Sequence, residues 1–342
     1  MTTRLRISTI SASATRLATD VLDRMLNRSA AASACVSWLQ PPLSANSPQT
    51  PLLGFTRMLA NAAKESRRSH LGLEMAAFEG HPTHSLFKGL YMYAPTLGEA
   101  LRSMAHYFPV SQTGTSIGLN QAHGTAHVTY QIDDPAVNDR LQDAVYTIGK
   151  IYRSIRCCTN AGWRPEHVTL AAPAPTSTEA YQHFFRAPVT FGASTTGLHF
   201  PAQALERPIP TADASRFRDF CARLEQSMPA QDGPELLSDA LKIWLGFATR
   251  DGQATLEEAA ASFRVTPRTL QRRLKEQGVG FQNLLTQVRM ETAQRLLRES
   301  KMPVTAIAEQ LGFSETSAFT RAFQGHARQS PRAFRHAVMA TA

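Results

Sequence analysis

The sequence predicts an α+β N-terminal domain, residues 1–226, and an all-α C-terminal domain, residues 235–342, made of two helix-turn-helix units joined by a long helix. Three observations carry this prediction. The stretch SMPAQDGP, residues 227–234, is polar, holds two Pro and one Gly, and lacks apolar periodicity, so it reads as a linker. Helix and strand patterns mix before it, and only helical patterns follow it. The third observation is an internal repeat. LEEAAASFRVT (256–266) aligns with VTAIAEQLGFS (304–314) at an offset of 48, which places the two motifs at about 256–277 and 304–325.

Composition narrows the classes further. A chain of 342 residues can hold two cores, and 43% hydrophobic with 18% charged residues excludes wholesale disorder. No apolar run is long enough for a transmembrane helix. The four Cys (Cys35, Cys157, Cys158 and Cys221) form neither a disulfide framework nor a zinc motif. A reducing cytoplasm is therefore expected, the four read as small buried hydrophobes, and neither a metal nor a cofactor site is legible. The Arg- and Ser-rich start, MTTRLRISTISASATRLATD, lacks the apolar centre of a secretory signal and reads as a frayed beginning. Net charge is +9, unevenly spread: residues 250–342 hold 14 basic and 8 acidic residues, the remainder 22 and 19. That is the footprint of a nucleic-acid-binding module beside a near-neutral domain.

In the N-terminal part, HSLFKGLYMYA is aromatic-rich and strand-like. PTLGEALRSMAHYF reads as a helix, with Thr96 and Glu99 in capping-box spacing and Leu97, Leu101, Met104 and Phe108 along one side. TSIGLN and TAHVTYQI alternate around residues 121–124, which predicts a β-hairpin. A helical stripe of Leu141, Val145, Ile148, Ile151, Tyr152 and Ile155 predicts a helix from Pro135 to about Cys158. HVTLAA and PVTFGA read as short strands.

Seven helices are expected after the linker, at residues 235–248, 256–263, 267–277, 281–300, 304–311, 315–324 and 331–337. Within the repeat Ala260 falls on Ala308, Phe263 on Leu311, Val265 on Phe313 and Thr266 on Ser314. After one extra residue in the second copy, Leu270 and Leu274 match Phe319 and Phe323. The small Ala260 and Ala308 suit close helix approach. Gly312 supplies a positive-φ turn residue where the first copy has Arg264.

Thr266 caps the helix of the first unit and Pro267 takes its first position. On that helix Arg268, Gln271, Arg272 and Lys275 share one face, and Leu270 and Leu274 point away from it. Arg and Gln can read base edges, and Lys can neutralise phosphate. In the second unit Thr316, Ser317, Thr320, Arg321 and Gln324 face outward, opposite Ala318, Phe319, Ala322 and Phe323. The joining helix, 20 residues from Phe281, spans about 30 Å, close to one turn of DNA. A basic helix face alone is more often simply solvated. The duplication, the spacer length and the local charge excess favour DNA.

The residues TPRTLQRRLKEQG, LLTQVRMETAQRLLRES, PVTAIAEQLGFSETSAFTRAFQ and SPRAFR make the C-terminal domain resemble the DNA-binding domain of AraC/XylS-type bacterial transcription regulators. It departs from that pattern at Arg264 and at HARQ (326–329), where the family tends to have Gly. HLGLEMA, APTLGEALRSMAHYF, FFRAPVTFGAS and LHFPAQALERPIP resemble the arabinose-binding-type N-terminal domain of some members. The resemblance implies a cytoplasmic, nucleoid-associated regulator, more activator than repressor. Its implied partners are double-stranded promoter DNA, RNA polymerase, a small-molecule effector and a second copy of the chain in a homodimer, with no membrane.

Other readings are weaker. GTSIG (114–118) fits a nucleophile elbow, but the following residues read as a hairpin rather than a helix. SLFK (85–88) lacks a partner motif. His81 and His84 flank a Pro and have no third ligand. An alkyl-transfer enzyme fused to a DNA-binding module would need a zinc-held Cys, for which the spacing is wrong. Phe87, Tyr91, Tyr93, His106, Tyr107 and Phe108 could line an effector pocket, although core packing explains each as well.

Overall fold

The computed structural model describes residues 8–26, 49–78, 86–134, 137, 139–175, 177–229, 237–249, 254–263 and 265–340. The described residues up to 229 form one compact unit, and those from 237 onward form another.

The N-terminal unit opens with β1 (Thr9–Ser11), which pairs antiparallel with β2 (Gln49–Pro51), and α1 (Ala12–Leu26) follows β1 directly. The expectation of a frayed start is corrected from residue 8 onward. Ala18 and Leu22 are fully buried, packed in one cluster with Phe55 and Leu59 of α2 (Leu52–Glu65) and Leu71 of α3 (Leu71–Phe78). The Arg- and Ser-rich composition hid an amphipathic helix whose apolar residues Ala18, Val21, Leu22 and Met25 recur at helical spacing.

HSLFKGLYMYA is corrected as well: it contributes α4 (Lys88–Tyr93), not a strand. Buried Leu90, Tyr91 and Ala94 follow the helical period, and the Tyr91 hydroxyl donates to Met104 Sδ at 2.9 Å. That tertiary bond and core burial outweigh the β preference of aromatic residues. Helix α5 (Leu97–Tyr107) begins as expected, the Thr96 hydroxyl accepting from the Glu99 amide at 3.2 Å.

A five-stranded sheet follows, its strands β3 (Thr115–Ala122), β4 (Thr125–Ile132), β7 (Thr196–Pro201), β5 (His167–Leu170) and β6 (Val189–Phe191) lying side by side in that order. Strands β3 and β4 form the expected hairpin. His123 and Gly124 at its tip have φ of 50° and 80°, the two positive values that let a two-residue turn match strand twist. β5 and β6 pair in parallel at one edge, and β7 lies antiparallel between β4 and β5. Ser116 of the GTSIG stretch lies inside β3 opposite Gln131, so no strand-to-helix elbow forms there.

Along β4, Ala126, Val128, Tyr130 and Ile132 are buried and alternate with His127, Thr129 and Gln131. Their buried face joins the core under α6 (Leu141–Cys158), where Val145, Ile148, Ile151, Tyr152 and Ile155 are all buried. This helix starts at Leu141 rather than near Pro135. Arg140 donates to the carbonyls of Val137 and Asp134 at 2.7 and 3.1 Å, holding a turn ahead of it. Helices α7 (Glu179–Phe185) and α8 (Ala214–Gln226) complete the unit. Cys158 is buried but its neighbour Cys157 is exposed, because adjacent helix positions point about 100° apart. Cys35, His81, His84, Ser85 and Arg264 lie outside the described residues.

All seven helices expected after the linker are present: α9 (Leu237–Ala248), α10 (Leu256–Ser262), α11 (Pro267–Glu276), α12 (Phe281–Glu299), α13 (Val304–Gln310), α14 (Thr316–Ala327) and α15 (Pro331–Ala340). The last two run beyond their expected ends. Helix α9 is tied to the first helix-turn-helix unit at two points. Trp244 Nε1 donates to Ser262 Oγ at 3.0 Å, and Gln277 Oε1 accepts from the Ser238 amide at 2.9 Å.

Arg328 caps α14 in the left-handed region at φ 58°, a conformation that disfavours a β-carbon. Arg328→Gly is expected to stabilise the C-terminal unit by about 1 kcal/mol. Chemical denaturation of the two forms checks it, an unchanged midpoint counting against strain at this cap.

Candidate nucleic-acid interface and effector cavity

The two helix-turn-helix units are built on the same backbone template. At the first turn the Val265 amide donates to the Ala260 carbonyl at 2.9 Å; at the second the Phe313 amide donates to the Ala308 carbonyl at 3.0 Å. Ala260 and Ala308, each 1% exposed, occupy the tight helix contact that their size permits. Gly312 takes φ 74° at the second turn, and a β-carbon there would come within 2.9 Å of the Arg289 guanidinium, which lies over the Phe313 ring.

Helix α11 starts where sequence logic places it. The Thr266 hydroxyl accepts from the Thr269 amide at 3.2 Å and Pro267 follows. Leu270 and Leu274 are fully buried, whereas Arg268, Gln271, Arg272 and Lys275 are all exposed on one face. Arg272 Nε lies 3.7 Å from Glu276 Oε1, a solvent-exposed pair that leaves the guanidinium available at little cost.

The second face is quieter. Phe319 and Phe323 are fully buried, Ala318 and Ala322 half-buried, and Ser317, Arg321 and Gln324 exposed. Thr316 and Thr320 are only half-exposed, and the Thr320 hydroxyl donates to the Thr316 carbonyl at 2.8 Å. Ser317 donates to Glu315 at 2.9 Å. Ser314 does not cap α14. The extra residue of the second copy puts Glu315 at the cap position, where no side-chain bond forms.

The N-terminal unit contains a cavity of about 430 Å³ beneath α1, in the range of small-molecule sites. Of the aromatic and His residues expected near an effector, Phe87, Tyr91 and Phe108 line it; Tyr93, His106 and Tyr107 do not. Its interior is not purely apolar. Asp143, 1% exposed, faces it together with Thr147, Lys150 and Ser154 from the same side of α6. Asp143 Oδ2 accepts from the Tyr130 hydroxyl at 2.6 Å and from Gln112 Nε2 at 3.4 Å. The exposed Ser13, Arg16 and Asp20 of α1 form the rim. Sequence reading missed this set. The available signal was a second, polar period in α6 (143, 147, 150, 154) beside the apolar one.

Burial pushes the Asp143 carboxyl up to about 6; the hydrogen bonds from Tyr130 and Gln112 and the charge of Lys150 pull the other way without cancelling it. Between the ordinary value of 3.8 and about 6 the folded domain holds a proton that the unfolded chain has released. Stability therefore falls as pH rises through that window, by about 3 kcal/mol in all. Asn at this position can still accept from Tyr130 and carries no charge. Asp143→Asn is expected to raise the melting temperature of the N-terminal unit at pH 7.5 and to match the parent at pH 4. Equal melting at both pH values would mean the buried carboxylate costs nothing.

On the opposite face of the sheet His127, His199 and His167 form a row across β4, β7 and β5, the first two rings stacked at 3.9 Å. Burial, with His127 and His167 alongside, pushes His199 down to about 4, so it is neutral at pH 7. Among the described residues no three His, Cys, Asp or Glu side chains are placed to hold a metal ion, and no helix is long and apolar enough to cross a membrane.

Two helix-turn-helix units on a shared long helix, following a cavity-bearing α+β domain in the sequence, define the class of DNA-binding transcription regulators. The arabinose-binding domain of AraC transcription regulators matches residues 29–209, and a helix-turn-helix domain matches residues 259–337. The chain belongs to the AraC family of transcription regulators. It is 27% identical over 289 residues to the transcriptional regulator VirS of Mycobacterium tuberculosis, covering 83% of this chain and 84% of VirS. The ornithine utilization regulator of Pseudomonas aeruginosa is 25% identical over 290 residues, with the same coverage of each chain. Over 80 residues, 23% of this chain and 29% of the relative, it is 42% identical to the transcriptional activator RhaS of Klebsiella pneumoniae. The crystal structure of CdpR from Pseudomonas aeruginosa aligns over 93% of this chain and 97% of that one, with 21% identity and a TM-score of 0.43.

Proposed function

We propose that the chain activates transcription by placing α11 and α14 in adjacent major-groove segments of promoter DNA, under the control of a small molecule held by the N-terminal unit. The observation that carries the DNA reading is the α11 surface, four exposed polar and basic side chains backed by two fully buried leucines. Arg268, Gln271 and Arg272, with Thr316, Ser317, Thr320 and Arg321, are the proposed base readers; Lys275 and Gln324 lie nearer the phosphates. The hydroxyls of Ser317 and Thr320 already have protein partners, so the second helix depends more on Arg321 and on DNA shape. At 19 residues α12 is about 29 Å long, matched to one turn of the duplex. Activation is supported by the likeness of 80 residues of the chain to a transcriptional activator; RNA polymerase is the proposed partner and the cytoplasmic nucleoid the proposed setting.

Selection of binding sites from random duplex DNA tests the reading. The expected product is a two-part site whose elements lie about one turn, 10–10.5 base pairs, apart. Arg272→Ala should cost about 1–3 kcal/mol and relax preference at one base position. Unchanged affinity and preference would remove that helix face from the interface.

A further inference from the structure

The second helix-turn-helix unit holds a cation that its polar face does not account for. Arg289 stands near the middle of α12, its guanidinium over the Phe313 ring at 5.2 Å from the centre and beside the exposed backbone of Gly312. The side chain is half-buried, and its Nε is fully enclosed without an acceptor. Among the described residues no carboxylate pairs with this guanidinium and no carbonyl accepts from it, although Glu309 and Glu315 flank the same turn. Burial pulls its pKa down from the ordinary value, and no neighbouring charge opposes that. Core packing does not require a cation here. Counted back by the repeat offset of 48, Arg289 falls on Leu241 of α9, which is fully buried in the first unit. A half-buried guanidinium without a counter-ion carries a desolvation cost that leucine does not.

The place of this cation in the unit indicates its acceptor. Phe313 lies three residues ahead of Thr316, the first residue of α14, and the N-terminal end of a recognition helix is the end that meets the bases. Phosphates wall the groove that such a helix enters, and the free amides at its N-terminus favour the same anions. We infer that Arg289 donates from its terminal nitrogens to a DNA phosphate beside the groove read by α14, with Phe313 as the platform that holds the guanidinium plane. This rests on the reading that α14 faces DNA, and it adds the spacer helix to the interface. It also gives a charged anchor to a helix whose Ser317 and Thr320 hydroxyls already have protein partners. Stacking on Phe313 serves to orient the guanidinium.

The test compares the full-length protein with its Arg289→Met and Arg289→Lys variants. Fluorescence-anisotropy titrations run at several salt concentrations, on the duplex recovered by site selection and on a random-sequence duplex. Arg289→Met removes the charge at similar volume. Its slope of log affinity against log salt should flatten by about 1, and its affinity should fall about three- to tenfold on both duplexes. Base preference should not change, because a phosphate contact carries no sequence information. Arg289→Lys keeps the charge and should keep the parent slope. The melting temperature of the Met variant should hold or rise, whereas a purely structural arginine would lower it and leave the slope alone. A Met variant with the parent slope overturns the contact whatever its melting temperature. A Lys variant as flat as the Met variant also overturns it, since charge is then not the cause. Altered preference at one base position overturns the phosphate assignment. A parent protein that binds neither duplex overturns the DNA reading itself, and this inference with it.

Discussion

Replacing Arg268 and Arg272 together by Glu is expected to reduce promoter binding at least about a hundredfold while leaving the fold intact. Both side chains are exposed, and neither supports the buried Leu270 and Leu274 that anchor α11. The substitution removes two cations facing the duplex and brings two anions against phosphate, so attraction becomes repulsion. The slope of log affinity against log salt should also flatten, because fewer counterions are released when two cations beside the duplex become anions. Gel-shift titrations at several salt concentrations measure both effects. Preserved affinity with an unchanged slope would show that α11 does not face DNA. An altered melting curve would instead show that the two arginines support the fold.

Phe319→Ala should have the largest effect on stability. Phe319 is fully buried, with ring centres 5.5 Å from Phe313 and 5.8 Å from Phe323, in the cluster that joins α12, α13, α14 and α15. Truncation of a buried Phe costs about 3–5 kcal/mol, through lost burial and the cavity left behind. For a unit of about a hundred residues that corresponds to a fall of at least about 12 °C in melting temperature. The second helix-turn-helix should loosen first, and hydrogen exchange should rise in α13 and α14 before α11. Phe319→Leu retains most of the volume and should cost much less. A drop of only one or two degrees for the Ala variant would mean that this cluster does not hold the second unit.

The C-terminal half was readable because its information is local. Caps, the Pro at a first turn and a period near 3.6 act over a few residues, and Thr266, Pro267, Leu270 and Leu274 behave as their spacing requires. The duplication added a second reading of the same signal, visible as matching turn bonds at Val265 and Phe313. Errors there were small, such as the shift of the α14 cap to Glu315. In the N-terminal half tertiary packing overrode local preference. HSLFKGLYMYA is helical because Leu90, Tyr91 and Ala94 find a core on one side, and α1 is folded because Ala18 and Leu22 meet Phe55 and Leu59.

The cavity marks the same boundary. Asp143 and Lys150 stand in a helix whose apolar stripe was plain, yet nothing nearby in sequence says that Gln112 and Tyr130 will approach Asp143. Those contacts form only when the segment before β3 and the end of β4 pack against α6. Short-range periodicity and capping residues encode the double helix-turn-helix module and its two polar faces, and the family shows in the residues of its motifs. That a buried carboxylate, a lysine and an aromatic wall line one cavity follows from the packing of α1, α4, α5 and α6 against one another, which no local pattern specifies.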